Sequence, residues 1–369
     1  MFTSRRIATS GGVDKFRDEY SLAFDGTNDY VETSFVPDYI STNATIAFWV
    51  KMNDFNSGQY MGIHNEKRWY FGFTGTDGII GVANSFKDDI TITPTPIVGQ
   101  WIHYCCTAID GTATLYINGV AQGTDSYAQS SGTDPNTGFF IGARDNSGTA
   151  NYMNGNISEV AQYNVGLTAN QVKTIYNGRE PYNHKEGVAS GNLQAWHKMG
   201  DGALDGFDSK QEGIIQNHNS KLESSIVTSW TNGSAGFNTL NTTGTNITSM
   251  INNDSGTDNV RSNSLTVATT DTYKVSFDIA GTTIPSSTNK LMFKVSPNNA
   301  LNSATYDGSV TGAGSYVFYV QPQTTTIYVG FRAVEDVDCS VTNFKMQKIT
   351  NNPGLMKNMA SNDFEGDTP

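Results

Sequence analysis

The chain has 369 residues, of which 16% are charged, and its formal net charge is -12 at pH 7. This length is enough for two or three domains with substantial hydrophobic cores. The acidic balance argues against nucleic-acid binding, because phosphate backbones are bound by clustered Lys and Arg residues. The 37 glycines and the lack of a long helix-forming run predict turn-rich, all-β structure.

The N-terminal residues 1–19 are polar and mixed in charge. We expect an arm here that is either disordered or ordered by a partner. No apolar segment follows its two arginines, and no stretch of the chain approaches 18 apolar residues. The sequence therefore predicts neither a signal peptide nor a membrane span.

Two segments, residues 44–51 and 101–119, alternate apolar and polar residues and predict strands of a first β-sandwich. Two more, residues 20–31 and 155–163, are assigned to it by the family resemblance given below. The clearest is 101–119, WIHYCCTAIDGTATLYING, in which the Asp110-Gly111 pair marks a β-hairpin and Asn118-Gly119 marks a second turn.

A short helix should follow this sandwich. Thr168 and Gln171 form a capping-box pattern, Val172 and Ile175 begin an apolar stripe, and Gly178 stands where a C-terminal cap belongs. The helix places a domain boundary near residue 180.

The order of these segments, with Trp101-x-His103, a strand, Asp-Gly and then Leu-Tyr-x-Asn-Gly, resembles the laminin-G-like sandwiches of the concanavalin A-like lectin/glucanase superfamily. The resemblance covers about residues 20–178, less than half of the chain. It implies an antiparallel jelly roll over residues 20–180, with the short helix closing the domain.

Residues 181–224 have weak periodicity, and we expect a connector with one or two strands that docks on a neighbouring sandwich. The spacing of its three histidines, His184, His197 and His218, matches no zinc motif. The three cysteines likewise indicate no metal site and no disulfide framework. Cys105 and Cys106 are adjacent in a strand and face opposite sides, so one of them should be a small core residue.

Regular alternation returns at residues 225–349 and predicts a second antiparallel sandwich. Phe344 and Met346 fall out of phase with Cys339 and Val341, which a β-bulge near Thr342-Asn343 would explain. The run beginning Tyr-Lys-Val-Ser-Phe-Asp at residue 273 resembles the jelly-roll carbohydrate-binding modules. The fold class we expect is thus all-β, with two antiparallel β-sandwiches joined by a connector and flanked by terminal arms.

Residues 350–369 are polar and aperiodic and are expected to form a C-terminal tail. Their Pro-Gly-x-Met-x-Asn-Met pattern, together with the two sandwiches, resembles the ending of structural proteins from marine bacteriophages. That resemblance implies a virion location, with synthesis in a host cytoplasm and release by lysis.

Catalytic residues are not predicted. Glucanases of the resembled superfamily carry a Glu-x-Asp-x-Glu strand motif that sets an acid and a nucleophile on one face, and this chain has no such spacing. Glu159 stands alone, and no nucleophile elbow or phosphate loop appears. We therefore expect a protein that is not an enzyme, with a polysaccharide-degrading enzyme as a remote alternative.

Sugar binding requires exposed aromatic platforms beside planar amides or carboxylates. The candidates for glycan binding are Trp69, Tyr70, Tyr152 and Trp230, and core packing is the alternative for each. In an alternating strand, one of Trp69 and Tyr70 must face away from the core.

A calcium site is the other property that the resemblance implies. Asp25 and Asp29, with Asn28, form an oxygen-rich turn suited to a hard cation. Relatives commonly have an acidic residue where Ser158 stands, and the alternative is a turn that caps itself through side-chain hydrogen bonds. No other cofactor is expected.

The function predicted from the sequence is a non-enzymatic bacteriophage virion protein, either a capsid decoration or a tail-fibre component, that displays lectin-like sandwiches. Its expected partners are other virion proteins, copies of itself and, for adhesion, cell-surface glycans, but neither nucleic acid nor membrane. The alternative is a lectin-like adhesin whose main task is carbohydrate binding.

Overall fold

The computed structural model describes residues 16, 18–33, 43–54, 60–65, 69–72, 79–80, 90–91, 97–126, 140–143, 152–202, 204–207, 213–232, 237–253, 257–288, 290–334, 336–351, 353–359 and 361–369. For residues 60–65, 69–72, 79–80 and 90–91 it describes the backbone alone. Within these ranges the chain is all-β and forms two antiparallel sandwiches, which confirms the expected fold class.

The first half of the chain contributes twelve described strands and the α-helix. The strands are β1 (Ser21–Asp25), β2 (Tyr30–Thr33), β3 (Ala44–Met52), β4 (Tyr60–Asn65), β5 (Trp69–Gly72), β6 (Ile79–Ile80), β7 (Ile90–Thr91), β8 (Trp101–Ile109), β9 (Thr112–Ile117), β10 (Val120–Ser126), β11 (Phe140–Ile141) and β12 (Asn154–Tyr163). The helix α1 (Ala169–Tyr176) follows them.

The second half is built from shorter strands, then longer ones, with two 3-10 turns at Ser190–Asn192 and Ser361–Asp363. The strands are β13 (Leu193–His197), β14 (Gly206–Phe207), β15 (Gly213–Ile215), β16 (Leu222–Ser225), β17 (Thr231–Asn232), β18 (Thr239–Thr243), β19 (Asn246–Asn252), β20 (Asp258–Arg261), β21 (Leu265–Thr266), β22 (Thr272–Thr283), β23 (Leu291–Ser296), β24 (Tyr306–Val310), β25 (Gly314–Val320), β26 (Thr326–Ala333), β27 (Val337–Ile349), β28 (Gly354–Lys357) and β29 (Phe364–Glu365).

The first sandwich packs two sheets face to face. One has the order β10-β9-β8-β3-β12-β1-β29, with β13 also paired to β12, and the other has the order β14-β15-β28-β2-β11-β4-β5. Their inner faces meet in a core that includes Phe48, Tyr104, Ile157 and Met356. Each strand supplies this core with alternate residues, as a pleated sheet requires.

The predicted hairpin turns are present. Asp110 and Gly111 have φ of 47° and 84°, and Asn118 and Gly119 have φ of 50° and 75°. Two consecutive positive φ values characterise the type I′ turn, whose twist matches that of the strands it joins. The turns therefore fix the register of β8, β9 and β10 that the alternation alone only suggests.

The outer face of the larger sheet is covered as well. Helix α1 buries Val172 and Ile175 against Cys105 and Trp196, whereas Cys106 faces the core between the sheets. Both adjacent cysteines are therefore buried. The Thr168–Gln171 capping box is confirmed.

The helix ends one residue earlier than expected. The C-cap is Asn177, with φ of 51°, and not Gly178, which follows it in the same left-handed region. Asn tolerates this conformation because its short polar side chain can bond to nearby backbone, and here its amide donates to the Pro181 carbonyl oxygen.

The second sandwich pairs a sheet of order β18-β19-β27-β22-β25, with β16 beside β27, against a sheet of order β17-β20-β26-β23-β24, with β21 beside β26. Phe277 and four other phenylalanines stack in its core. The predicted bulge is confirmed, since the register between β22 and β27 shifts between Ser276 and Asp278, where Asn343 has φ of 55°.

The connector and the tail complete the first sandwich. Strand β13 pairs with β12, β14 and β15 extend the smaller sheet, β28 lies between β15 and β2, and β29 pairs with β1. The second sandwich is thus inserted between two parts of the first. Strands of two to five residues carry too little alternation to be recognised in a sequence.

Candidate functional site

The two sandwiches meet across a small apolar cluster. Ile214 and Leu355 of the first contact Tyr319 and Ile349 of the second, and all four side chains are buried. Beside this cluster a cleft of about 890 Å³ opens between the sandwiches. Its volume is within the range of pockets that bind small organic ligands.

One wall of the cleft is the outer face of the smaller sheet of the first sandwich. Glu32 on β2 lies opposite Leu355 on β28, and Lys357 lies two residues further along the same strand. Their strand neighbours Val31 and Met356 point into the core. Alternation along each strand therefore directs Glu32 and Lys357 into the cleft.

The other wall comes from the second sandwich, where Tyr306, Asp307 and Tyr319 line the cleft. The ring of Tyr306 packs against the core rings of Phe293 and Phe318, with centroids 6.3 Å and 6.0 Å away. Because the ring is held on one side by the core, it is positioned without further cost when a ligand binds.

Asp307 is oriented by a buried cation. The ammonium group of Lys294, on the neighbouring strand, forms an ion pair with its carboxylate. The Lys294 side chain is 6% exposed and that of Asp307 is 50% exposed, so the acid lies at the surface of the cleft with its position fixed from beneath. Gln321 and Gln323 add two amides to the same wall.

This set of groups suits a ligand rich in hydroxyls. Carboxylates and amides accept or donate paired hydrogen bonds, and tyrosine rings offer apolar faces with a polar end. Sequence reasoning missed this site because its lining residues come from distant parts of the chain, with Glu32 on β2 and the others between Thr269 and Lys357. No local pattern marks residues that meet only when two sandwiches pack together.

The four predicted glycan residues are placed differently. Tyr152 is half-buried, and its ring lies 6.4 Å from that of Tyr30, whose partner across the strands is Lys357. Tyr152 therefore lies beside Tyr30, and neither residue lines the cleft. The backbone of Trp69 and Tyr70 forms β5 at the edge of the smaller sheet, but their side chains lie outside the described residues.

Trp230 provides no exposed platform. Its side chain is 7% exposed, its indole Nε1 donates to the Thr245 carbonyl oxygen at 2.9 Å, and its ring meets Phe344 edge-on at 4.7 Å. Its place in a loop before β17 gave no sign of this burial, which arises because the side chain packs into the core of the second sandwich.

The calcium candidates form a turn that bonds to itself. The Asp25 carboxylate accepts from the backbone of Thr27 at 2.7 Å, and that of Asp29 accepts from the backbone of Asp25 at 3.0 Å. Burial raises the pKa of Asp29 to about 7. Ser158 does not reach this turn, because its hydroxyl donates to Asp18.

Within the ranges that the structure describes, no three His, Cys, Asp or Glu side chains are grouped as a metal site. No helix in those ranges is long and apolar enough to cross a bilayer.

Residues 25–173 match the family model described as the concanavalin A-like lectin/glucanases superfamily. The match covers less than half of the chain and agrees with the architecture of the first sandwich. A search of curated proteins found no match.

Three solved structures are similar to parts of the chain. A provisionally assigned carbohydrate-binding protein from Bacteroides ovatus is 21% identical over 55% of this chain and 56% of its own, with a TM-score of 0.43. A heptameric pentraxin from Limulus polyphemus is 20% identical over 43% and 82%, with a TM-score of 0.35. Domain 4 of an extracellular arabinanase from Geobacillus stearothermophilus, solved with arabinotriose, is 21% identical over 42% and 76%, with a TM-score of 0.35. At these values the similarities carry no functional argument.

Proposed function

We propose that this protein is a non-enzymatic carbohydrate-binding protein and that the cleft between its sandwiches is the binding site. The observation that carries the proposal is the composition of that cleft, where tyrosines, two carboxylates, two amides and a lysine converge on a volume of about 890 Å³. The match of residues 25–173 to a lectin and glucanase superfamily supports the same class of ligand.

The absence of catalysis is part of the proposal and rests on the missing Glu-x-Asp-x-Glu spacing and on Glu159, the one acid of β12. Its side chain is 1% exposed, and its Oε2 accepts from the indole of Trp196 at 2.7 Å. An acid enclosed in this way cannot reach a sugar. The carboxylates of the cleft come from two different sandwiches, and they lack the same-face strand spacing of a glycosidase pair.

Binding can be tested by a glycan array followed by calorimetry on the full-length chain. Glu32→Gln on one wall and Gln323→Ala on the other should each weaken binding about tenfold, the effect of losing one good polar contact. Asp336→Asn is the matched control, because this exposed acid lies away from the cleft. If the wild type binds and both cleft variants keep its affinity, the binding site lies outside the cleft.

We also propose, as the biological setting, that the protein is displayed on a phage virion as a decoration or fibre component that contacts other virion chains. The resemblance of residues 353–359 to the ending of phage structural proteins supports this setting. Within this chain these residues have a structural role, because Met356 and Met359 are buried in the core of the first sandwich. The tail is therefore not available as a free attachment arm.

Attachment can be tested by co-sedimentation with particles that lack the protein. Deleting residues 1–15 keeps every described strand, so the shortened chain tests whether the N-terminal residues make the contact with the particle. Rebinding by the full-length chain and not by the shortened one would support the virion setting. Failure of both to rebind would leave carbohydrate binding as the function without that setting.

A further inference from the structure

The segment that enters β1 is fastened to the outer face of the first sandwich. This N-terminal strap consists of Phe16 and residues 18–20. The Phe16 ring lies 5.6 Å from that of Trp196, and the backbone amides of Glu19 and Tyr20 donate to one carboxylate oxygen of Asp201, at 2.9 and 3.0 Å. The ring contact and the two backbone hydrogen bonds would both be lost if the strap detached.

Between these contacts the strap inserts an acid beside another acid. Asp18 is 7% exposed, and its Oδ2 accepts from the Ser158 hydroxyl, while Oε2 of its neighbour Glu159 accepts from the Trp196 indole. The remaining oxygens, Oδ1 of Asp18 and Oε1 of Glu159, are buried and have no donor among the described residues. Two adjacent buried carboxyl groups, each with one oxygen that has no donor, are stable together only if a proton is present.

Glu159 is brought to this position by a β-bulge. Its φ is 55°, and the register between β12 and β3 shifts between Ser158 and Ala161. The bulge turns the side chain of Glu159 to the outer face of the larger sheet, where it lies beside Asp18.

The surrounding charges do not compensate for a second negative charge. Lys198 and Asp201, just after β13, contribute one cation and one further carboxylate. His184 Nε2 lies 3.9 Å from Glu159 Oε2, but burial lowers the pKa of His184 to about 3, so its ring is neutral. Its Nδ1 is hydrogen-bonded to the Tyr163 hydroxyl at 2.5 Å. Burial raises the pKa of both Asp18 and Glu159. The charge of Glu159 raises the pKa of Asp18 further, whereas Lys198 and the hydrogen bond from Trp196 partly offset the effect of burial on Glu159.

We propose that the N-terminal strap is a proton-dependent latch, which stays docked while the Asp18–Glu159 pair holds a proton and detaches as rising pH removes it. The undocked strap exposes Asp18 to water, where it ionises in the ordinary acid range. The docked form therefore binds more protons than the undocked form. Docking is favoured below about pH 4 and is lost progressively as the pH rises toward the raised pKa values of the pair, of which that of Glu159 is about 8.

The test is hydrogen exchange on the full-length chain from pH 5 to 8, with labelling times scaled to the intrinsic exchange rate at each pH. The reporters are the amides of Glu19 and Tyr20, which donate to Asp201 only in the docked state. Their protection should fall by about tenfold per pH unit if one proton is released. A flat profile in the wild type would overturn the proposal.

Three variants separate the latch from ordinary packing. Asp18→Asn keeps the size of the side chain and removes the ionisation that undocking exposes, so the slope should disappear. Glu159→Gln keeps Asp18 buried but removes the facing charge that helps to raise its pKa, so the fall in protection should level off at a lower pH than in the wild type. Glu19→Gln alters an exposed acid in the same strap and should keep the wild-type slope. Retention of the wild-type profile in both amide variants would overturn the proposal, even if one of them lowered protection at every pH.

Discussion

Asp29 is a buried acid, and none of the described groups that shift its pKa is a cation, so the energy cost of its burial depends on pH. Burial raises its pKa to about 7, with the charge of Asp25 contributing. The folded state therefore binds a proton more tightly than the unfolded chain, whose Asp ionises near pH 4. The associated stability is complete below that pH and is lost as the pH rises toward 7.

We predict that Asp29→Asn removes this loss. The melting temperature of the variant relative to the wild type should increase from pH 4 to pH 7 and then level off, as measured by differential scanning calorimetry. Thr27→Ala in the same turn is the control for local packing. A difference that does not change with pH would show that Asp29 is ionised throughout.

The same pair of proteins tests the calcium expectation. A bound cation would neutralise Asp25 and Asp29 together, so calcium should raise the melting temperature of the wild type at pH 7 and leave that of Asp29→Asn unchanged. Equal responses would assign any calcium effect to another part of the chain.

At the scale of single elements, each of the two sandwiches contains a β-bulge at which one residue has a positive φ. In β27 this residue is Asn343, which is exposed and whose side-chain amide donates to Asp278 at 2.7 Å. Its backbone amide donates to the side chain of Asn246 at 3.0 Å. A bulge fixed on both sides in this way sets the phase of the rest of the strand.

We predict that Asn343→Val destabilises the second sandwich by about 1–3 kcal/mol, because a β-branched residue is strained at this φ. Asn343→Gly loses the same side-chain bond but accepts the conformation, so it should cost less. Urea unfolding of both variants measures the difference. Equal losses would mean that the hydrogen bond to Asp278, and not the backbone conformation, stabilises the bulge.

Elements whose signals are local were predictable. The Asp110-Gly111 turn, the Thr168–Gln171 capping box and the phase change at Asn343 each depend on residues within a few positions of one another. Trp230 was ambiguous, because an indole side chain can form either a sugar-binding platform or part of a core. Which of the two it forms depends on the neighbours that the fold places around it. The cleft could not be predicted, since Glu32 and Asp307 are joined by packing alone.

For the whole molecule, the decisive contact is made by β28. This strand lies between β15 and β2, and its Met356 enters the core of the first sandwich. The edge strand β29, in contrast, has β1 as its one partner among the described strands. The two parts of the tail therefore contribute very differently to stability.

We predict that removing residues 351–369 abolishes cooperative unfolding of the first sandwich and leaves that of the second intact. Removing residues 361–369 takes away β29 with the partly buried ring of Phe364, and the contacts of Asp367 with Lys51 and Trp101, but it leaves β28 and Met356 in place, so two transitions should persist. Scanning calorimetry distinguishes the cases. Two unchanged transitions after removal of residues 351–369 would contradict the central role of β28.

The central position of β28 also sets the order in which a newly made chain can fold. About 140 residues separate β15 from β28, and they are synthesised while the gap between β15 and β2 stays open. At typical translation rates this takes roughly 10–30 seconds. On the ribosome, the first sandwich therefore begins before the second and is completed after it, and its unpaired strand edges remain exposed to chaperones and to other nascent chains until β28 emerges.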